Sequence, residues 1–411
     1  MSNTTTVLKN AGIIAKASAM ALVDELQFLK SIDKADESDW NGKSGFSAGD
    51  TLYINKPARF QPNQAFDATS SILNFTESTV PLVLNTISSV PVSLGSDELA
   101  HDINIKEIVK RIIKPGVAGI AQDVESRMLT TVNSLVANQI GTAGSTVYDP
   151  DTILSARETM SKYLCPKDDN RFLLLDSTAM RNAVGQRKGL FQSSEAIAKQ
   201  YKQGFVGMAD GFKWLENELL PSLTTGTATI AGATVTSTVS TQGSTTLTIT
   251  DTGGSSETLT AGTRFTVAGI YAVHPQTKKQ YPFLQQFVVT AAATAASGAF
   301  SVTVSPAMYT TGSLQNISGF PTSTNAIVYL SGAASTTYQQ GLAFHKDAFR
   351  FASVPLIQPT AVEFAAQETY EGVTVAIVRA FDVYKRTMVT RLDVLCGIAA
   401  VRPEWAVAIT H

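Results

Sequence analysis

Apolar residues recur at helical spacing from Asn104 to Ile140. Ile105, Ile108, Val109, Ile112 and Ile113 form one stripe, which resumes after Pro115-Gly116 with Val117, Ile120, Val124, Met128, Val132 and Ile140. That period predicts a long amphipathic spine helix with a break at Pro115-Gly116. Asn104 followed by Glu107 supplies a capped start and Gly141 a stop. Gln122, Asp123, Ser126 and Arg127 fall on the opposite face, so one side meets a core and the other meets solvent or a neighbour.

Either side of this helix the pattern changes. Residues 1–33 carry a second helical stripe through Ile13, Ile14, Met20, Val23 and Leu26, too sparse to fold without another surface. Thr51-Leu52-Tyr53-Ile54 reads as a strand halted at Lys56-Pro57, and Val80 to Val92 as its returning partner. The pair predicts an extended two-stranded loop with Lys56, Arg59, Phe60 and Phe66 toward its tip. Two strands alone are marginal in water, so this loop expects something to lie upon. Asp151–Leu164 reads as a helix behind Asp149-Pro150, Arg171–Leu175 as a buried strand, and Thr178–Val184 as a helix capped by Asp176-Ser177. Trp214–Leu220 reads as a strand closed by Pro221.

At Ser222 the composition shifts. Up to Thr336 the only charged residues are Asp251, Glu257, Arg264, Lys278 and Lys279. Thr245-Leu247-Ile249, Phe265-Val267, Phe287-Val289 and Val302-Val304 alternate between turn signals, as in a small all-β sandwich or barrel. From Ala343 the earlier character returns, with strands expected over Phe349–Leu356, Val373–Tyr384 and Met388–Val401. The β-rich segment therefore interrupts a larger α+β domain. The expected division is an N-terminal arm at 1–33, an extended loop at 34–95, the spine at 96–148, a further lobe at 149–221, the inserted β-domain at 222–341, and closing strands at 342–411.

With 411 residues the chain is too long for one core. A net charge of −2 argues against a dedicated nucleic-acid binder, though not against enclosing nucleic acid. Cys165 and Cys396 are far apart in apolar company and read as reduced, buried thiols. No stretch has the length of a membrane span, and Lys16, Asp24 and Glu25 argue against a signal peptide.

Enzyme constellations fail one by one. His101, His274, His345 and His411 are scattered without ligand spacing. No nucleophile elbow, P-loop or dinucleotide fingerprint occurs, and Gly204-x-x-Gly207-x-x-x-Gly211 lacks the Lys-Ser/Thr of a phosphate loop. Asp168-Asp169 reads as a solvated acidic turn, and the Asp97-Glu98 and His101-Asp102 cluster as the approach to the spine helix. The expectation is no catalytic residue, no metal and no cofactor.

The order of parts, with several local stretches, carries a resemblance. Val80-Pro81-Leu82 through Glu98-Leu99, Gly204-Phe205-Val206-Gly207 with Gly211-Phe212 and Leu219-Leu220-Pro221, His345-Lys346-Asp347-Ala348-Phe349, and Cys396-Gly397-Ile398-Ala399 to Arg402-Pro403-Glu404 resemble the major capsid proteins of tailed bacteriophages, the Hong-Kong-ninety-seven fold. They are most similar to the short-tailed Salmonella-phage coat subfamily, with its inserted immunoglobulin-like domain. The resemblance implies hexamers and pentamers of one chain in an icosahedral virion shell, assembled in the bacterial host cytoplasm. It also implies a portal protein and double-stranded DNA enclosed without specific binding. No charged helical N-terminal extension of the kind some relatives carry is seen, which implies a separate scaffolding protein. It makes Lys56, Arg59, Phe60 and Phe66 of the loop, with Ile13 and Val23 of the arm, expected contacts to neighbouring subunits. It sets Ile120, Val124, Arg127 and Met128 on the spine. Some relatives crosslink a loop lysine; Lys56 matches by position alone, and no crosslink is expected. Two other readings compete: an encapsulin-like shell around protein cargo, and a surface module using the β-domain to bind a receptor.

Overall fold

The computed structural model describes residues 15–23, 26–35, 45–57, 78–95, 114–145, 150–187, 207–228, 232–250, 256–359, 362, 364–384 and 387–411. The chain is α+β and divides into two compact units. One comprises Met1–Asn55, Thr79–Leu129 and Phe349–Val401, the other Lys56–Ser78, Thr130–Ala348 and Arg402–His411.

The first unit is built on a six-stranded sheet. Its longest member, Thr387–Ala400, pairs antiparallel with Thr86–Gly95, Phe349–Val354 and Val373–Asp382. Asp33–Lys34 and Phe364–Tyr370 complete the sheet at its ends. The spine helix spans Lys114–Leu135, and its residues up to Leu129 belong to this unit. Pro115-Gly116, the expected break, stands among the first described residues of this helix. The expected half before it lies outside the described residues. Val117, Ile120, Ala121, Val124, Met128 and Leu129 are buried. Its first described turn lies against the sheet: a Cβ at Gly116 would stand 3.3 Å from Val90 Cγ1.

The second unit holds a seven-stranded mixed sheet. Thr337–His345 is flanked by Ala406–Thr410 and Arg171–Leu175, both antiparallel to it. Phe212–Glu216 then runs parallel to Arg171–Leu175. Gln139–Ile140 pairs in parallel with Ala406–Thr410, so Ile140 ends in a strand and not in the spine helix. Helices Pro150–Lys162 and Ser177–Arg187 flank this sheet in sequence, the second begun by Asp176 Oδ1 accepting from the Ala179 N–H at 3.2 Å. The expected strand to Leu220 stops at Glu216.

Within the same unit, among the described residues, eight strands from Thr234–Val235 to Ile327–Tyr329 pair only among themselves, six of them in one sheet. Alternation sets their register. Leu247 faces Val302 and Ile249 faces Phe300 across one ladder, while Phe265 lies opposite Phe287 in another, their rings stacked 5.9 Å apart. These side chains, with Val304, Met308 and Ile317, form a hydrophobic core separate from the larger sheet. The strands leading in and out zip together: Ser222, Leu223 and Thr224 pair with Gln339, Tyr338 and Thr337. The exit strand continues unbroken to His345, so the expected boundary at 341 falls inside a strand of the larger sheet.

Candidate assembly interface

The arm, from residue 15 onward, packs on its own chain. Ala15, Ala19, Leu22, Val23, Leu26, Phe28, Leu29 and Ile32 are all buried. Glu125, a buried carboxylate on the spine helix, accepts the Phe28 N–H at 2.7 Å and the Gln27 N–H at 2.9 Å, at the start of the short helix Phe28–Ser31. A carboxylate there meets the positive end of the helix and satisfies donors that the helix leaves unpaired. Val23, expected to touch a neighbour, is only 1% exposed, because its side chain fills this intramolecular core. Ile13 lies outside the described residues.

The extended loop behaves similarly at its base. Thr51–Lys56 pairs with Ser78–Val83, and the expected return strand is in fact two strands, Ser78–Val83 and Thr86–Gly95. Leu52, Ile54, Leu82 and Leu84 point inward and share a core with Val354, Leu395 and Ala399. The base therefore lies on its own sheet. Its outer face presents Tyr53, 65% exposed, and Val83. Lys56 is half-buried at the end of its strand. Arg59, Phe60 and Phe66 fall outside the described residues. On the spine, Ile120, Val124 and Met128 are buried, whereas Arg127 is exposed and pairs with Asp123 at 2.9 Å.

In the second unit the inserted domain is seated on the rest by buried polar contacts. Arg264 donates from Nε to Val136 O at 2.8 Å, from Nη2 to Asn133 O at 2.7 Å and Oδ1 at 2.8 Å, and from Nη1 to Gln340 Oε1 at 3.1 Å. Burial presses the guanidinium down to about 9. No carboxylate appears among these partners. The charge instead meets carbonyls at the C-terminal end of the spine helix, where the macrodipole is negative. Gln139 and Gln286 bond reciprocally beside it: Gln139 N–H to Gln286 Oε1 at 2.6 Å, and Gln286 Nε2 to Gln139 O at 3.1 Å. Tyr281 Oη donates to Lys162 O at 2.8 Å, and the Lys162 ammonium lies 4.7 Å from the Phe283 ring centre.

A second cluster joins the returning chain to its C-terminal turn. His345 Nδ1 accepts the Asp347 N–H, which leaves Nε2 to donate to Asp168 Oδ1 at 2.9 Å. Asp168, expected in a solvated turn, is thus tied to a buried histidine. Its partial burial works upward, but hydrogen bonds from Asn170 and His345 outweigh it and hold the carboxyl below its ordinary value. The His345 ring meets Trp405 edge-on at 5.5 Å, Arg402 covers the indole at 4.3 Å, and Trp405 Nε1 donates to Tyr163 O at 3.0 Å. The two stretches His345 to Ala348 and Arg402 to Trp405, distant in sequence, meet here. Cys165 and Cys396 are both free and buried, and burial raises both thiols, Cys165 to about 11 and Cys396 to about 12.

The family described as P22 coat protein, gene protein 5, matches residues 40–410. The chain belongs to that family. It is a bacteriophage coat protein, a subunit of a capsid shell. Among solved structures, the coat protein is similar to a chain of Mycobacterium phage Che8 at 11% identity, covering 93% of this chain and 90% of that one with a TM-score of 0.44. It is similar to the capsid of Ralstonia phage GP4 at 8% identity, covering 92% and 86% with a TM-score of 0.45. The CUS-3 coat protein I-domain matches at 24% identity over 25% of this chain and 96% of that one, with a TM-score of 0.19. No curated protein matches.

Sequence reasoning about the coat protein passed over Arg264, Glu125 and the Gln139–Gln286 pair. For Arg264 a signal was present, since it is one of few charges in a domain otherwise without them. Glu125 carried none, because a lone glutamate in an amphipathic helix reads as solvent-facing. Among the described residues no group of three His, Cys, Asp or Glu stands where it would hold a metal, and no helix is long and apolar enough to cross a membrane.

Proposed function

We propose that this coat protein assembles with a separate scaffolding protein into hexamers and pentamers of an icosahedral shell, joined by a portal protein, around double-stranded DNA. The family match over residues 40–410 carries this reading. The role is structural, without catalysis: shell formation multiplies modest contacts between copies by closed symmetry. The expected division into arm, loop, spine, lobe, insertion and closing strands is retained as part of the proposal. The burial of Val23 and of the loop base changes which parts reach a neighbour. We assign that role to the tip of the extended loop, about residues 57–70, which includes Arg59, Phe60 and Phe66. Neither the arm from residue 15 onward nor the base of the loop shares it.

Negative-stain microscopy of the chain co-expressed with its scaffold tests the reading. Uniform hollow particles of roughly 50–70 nm are expected for closure of several hundred copies. Much smaller uniform shells enclosing protein would favour the cargo-shell alternative, and monomers or trimers alone would refute a shell.

A further inference from the structure

Two buried side-chain atoms beside Arg264 have no hydrogen-bond partner among the described protein groups: Gln139 Oε1 and Gln340 Nε2. Both residues are nearly sealed from solvent, Gln139 at 5% and Gln340 at 1% exposure. Neither amide can be turned over to cure this. Gln340 Oε1 accepts from Arg264 Nη1 at 3.1 Å and from Thr410 Oγ1 at 3.0 Å, while Gln139 Nε2 donates to Leu330 O at 2.7 Å. A flip would set donor against donor at the first and acceptor against acceptor at the second.

Strand register brings the pair together. Gln139 lies beside Ala408 and Ala408 beside Leu342, and Gln340 lies beside Thr410. Residues paired across a ladder share a face, as do residues two apart in one strand, so both glutamines stand on the same side of the sheet. They are two strands and two residues apart, about 12 Å between Cα atoms by strand spacing and rise. Ala408, in the strand between them, contributes only a methyl group. Arg264 reaches the same place. Its carbonyl accepts the Leu330 N–H at 2.8 Å, and its four side-chain bonds leave one Nη1 hydrogen unused among the described residues.

The chemistry of the unpaired groups selects the ligand. One is a donor and the other an acceptor, and leaving both bare would cost the desolvation of each. An anion would satisfy Gln340 Nε2 and leave Gln139 Oε1 unpaired. A metal cation would do the reverse, next to a positive guanidinium. Water both accepts and donates. A buried water makes about three hydrogen bonds, and the unused Nη1 hydrogen of Arg264 is at hand as the third.

We infer that one buried water belongs to the seat of the inserted domain, accepting from Gln340 Nε2 and donating to Gln139 Oε1. It ties Thr337–His345 to Gln139–Ile140 across the strand between them, whether or not the chain forms shells.

The test is a structure of the full chain at a resolution that shows ordered solvent, from crystals grown in sodium chloride and in sodium bromide. The expected result is one solvent peak within hydrogen-bonding distance of both atoms, with no anomalous signal from bromide. A bromide signal there would overturn the inference in favour of an anion. Absence of a peak, or the two amides turned to bond each other directly, would overturn it as well. Thermal melts of Gln139→Met, Gln340→Met and the double variant give a second reading. With a shared water the double variant should lose less than the sum of the two single losses, by about 2 °C or more. Strict additivity would refute a water held in common.

Discussion

Replacing Arg264 by Met is the sharpest test of how the inserted domain is seated. Methionine keeps a flexible chain of comparable length but removes every donor of the fork. Val136 O, Asn133 O and Asn133 Oδ1 then lose this donor, while Gln340 Oε1 keeps Thr410 Oγ1 at 3.0 Å. Each buried acceptor left unpaired costs about 1–3 kcal/mol. Against this stands relief from burying a full positive charge, several kcal/mol even after relaxation. The helix C-terminus already offsets part of that burial cost, so the relief is incomplete. The expected net loss is about 2–4 kcal/mol, a fall in thermal midpoint on the order of 5–10 °C. Calorimetry and tryptophan fluorescence of the unassembled chain would read it, with Trp214 and Trp405 both in this unit. Arg264→Lys separates charge from geometry. An ammonium cannot fork across Asn133 and Val136 together, so lysine should recover only part of the loss. A methionine variant that melts with wild type would refute the assignment, because hydrogen bonds at these distances cannot be deleted from a buried site without effect.

Gly397→Ala should be poorly tolerated: an added Cβ would collide with the Val83 carbonyl and lie 2.8 Å from Leu82 Cδ2, lifting the loop base off the sheet. A loss of at least about 2 kcal/mol is expected, read by denaturant titration, and a neutral result would mean the ribbon does not lie there. Glu125→Ala removes the acceptor for the Gln27 and Phe28 N–H groups and should release the arm to limited proteolysis at a stability cost of about 1–3 kcal/mol; unchanged cleavage would contradict the anchoring. Asp168→Asn tests the His345 cluster by pH. Because the folded carboxyl lies below its ordinary 3.8, its contribution is present above that value and is lost as pH falls through the lower folded one. Wild type should therefore exceed the variant in melting temperature at pH 7, with the gap closing below about pH 4, and a gap independent of pH would refute the role. Exchanging residues 57–70 for a Gly-Ser stretch should leave the chain folded, by circular dichroism, and abolish shells; intact shells would remove the loop tip from the proposed contacts.

Much of the fold could be read wherever one face of an element is buried and the other is not. Leu247-Ile249 against Phe300-Val302 is plain period-two alternation, and the stripe Val117 to Val132 plain helical period, because the same physics wrote both patterns. The edge strand Phe364–Tyr370 was missed for the converse reason. Its Gln367 and Thr369 are exposed and its centre is Ala-Ala-Gln-Glu, so pairing with Val373–Asp382 creates the strand without help from local pattern.

The candidate contacts were less legible, and the reason is sequence separation. Arg264 meets Asn133 across 131 residues and Val136 across 128, and Glu125 meets Phe28 across 97. No window of sequence contains both members of such a pair. What a window does contain is cost. A charged residue in a strand flanked by Thr263, Phe265 and Val267 breaks the local rule, and the fold must compensate for it somewhere. Arg264 is that exception, compensated by the end of the spine helix. The insertion therefore does not sit on the capsid fold as an appendage: through one guanidinium it completes the C-terminus of the helix around which the chain is organised. Removing residues 224–340 should on this argument leave the helix end uncapped and the second unit less stable than its own sheet alone would make it. A deletion protein that melts with the intact chain would show that the helix end needs no such cap.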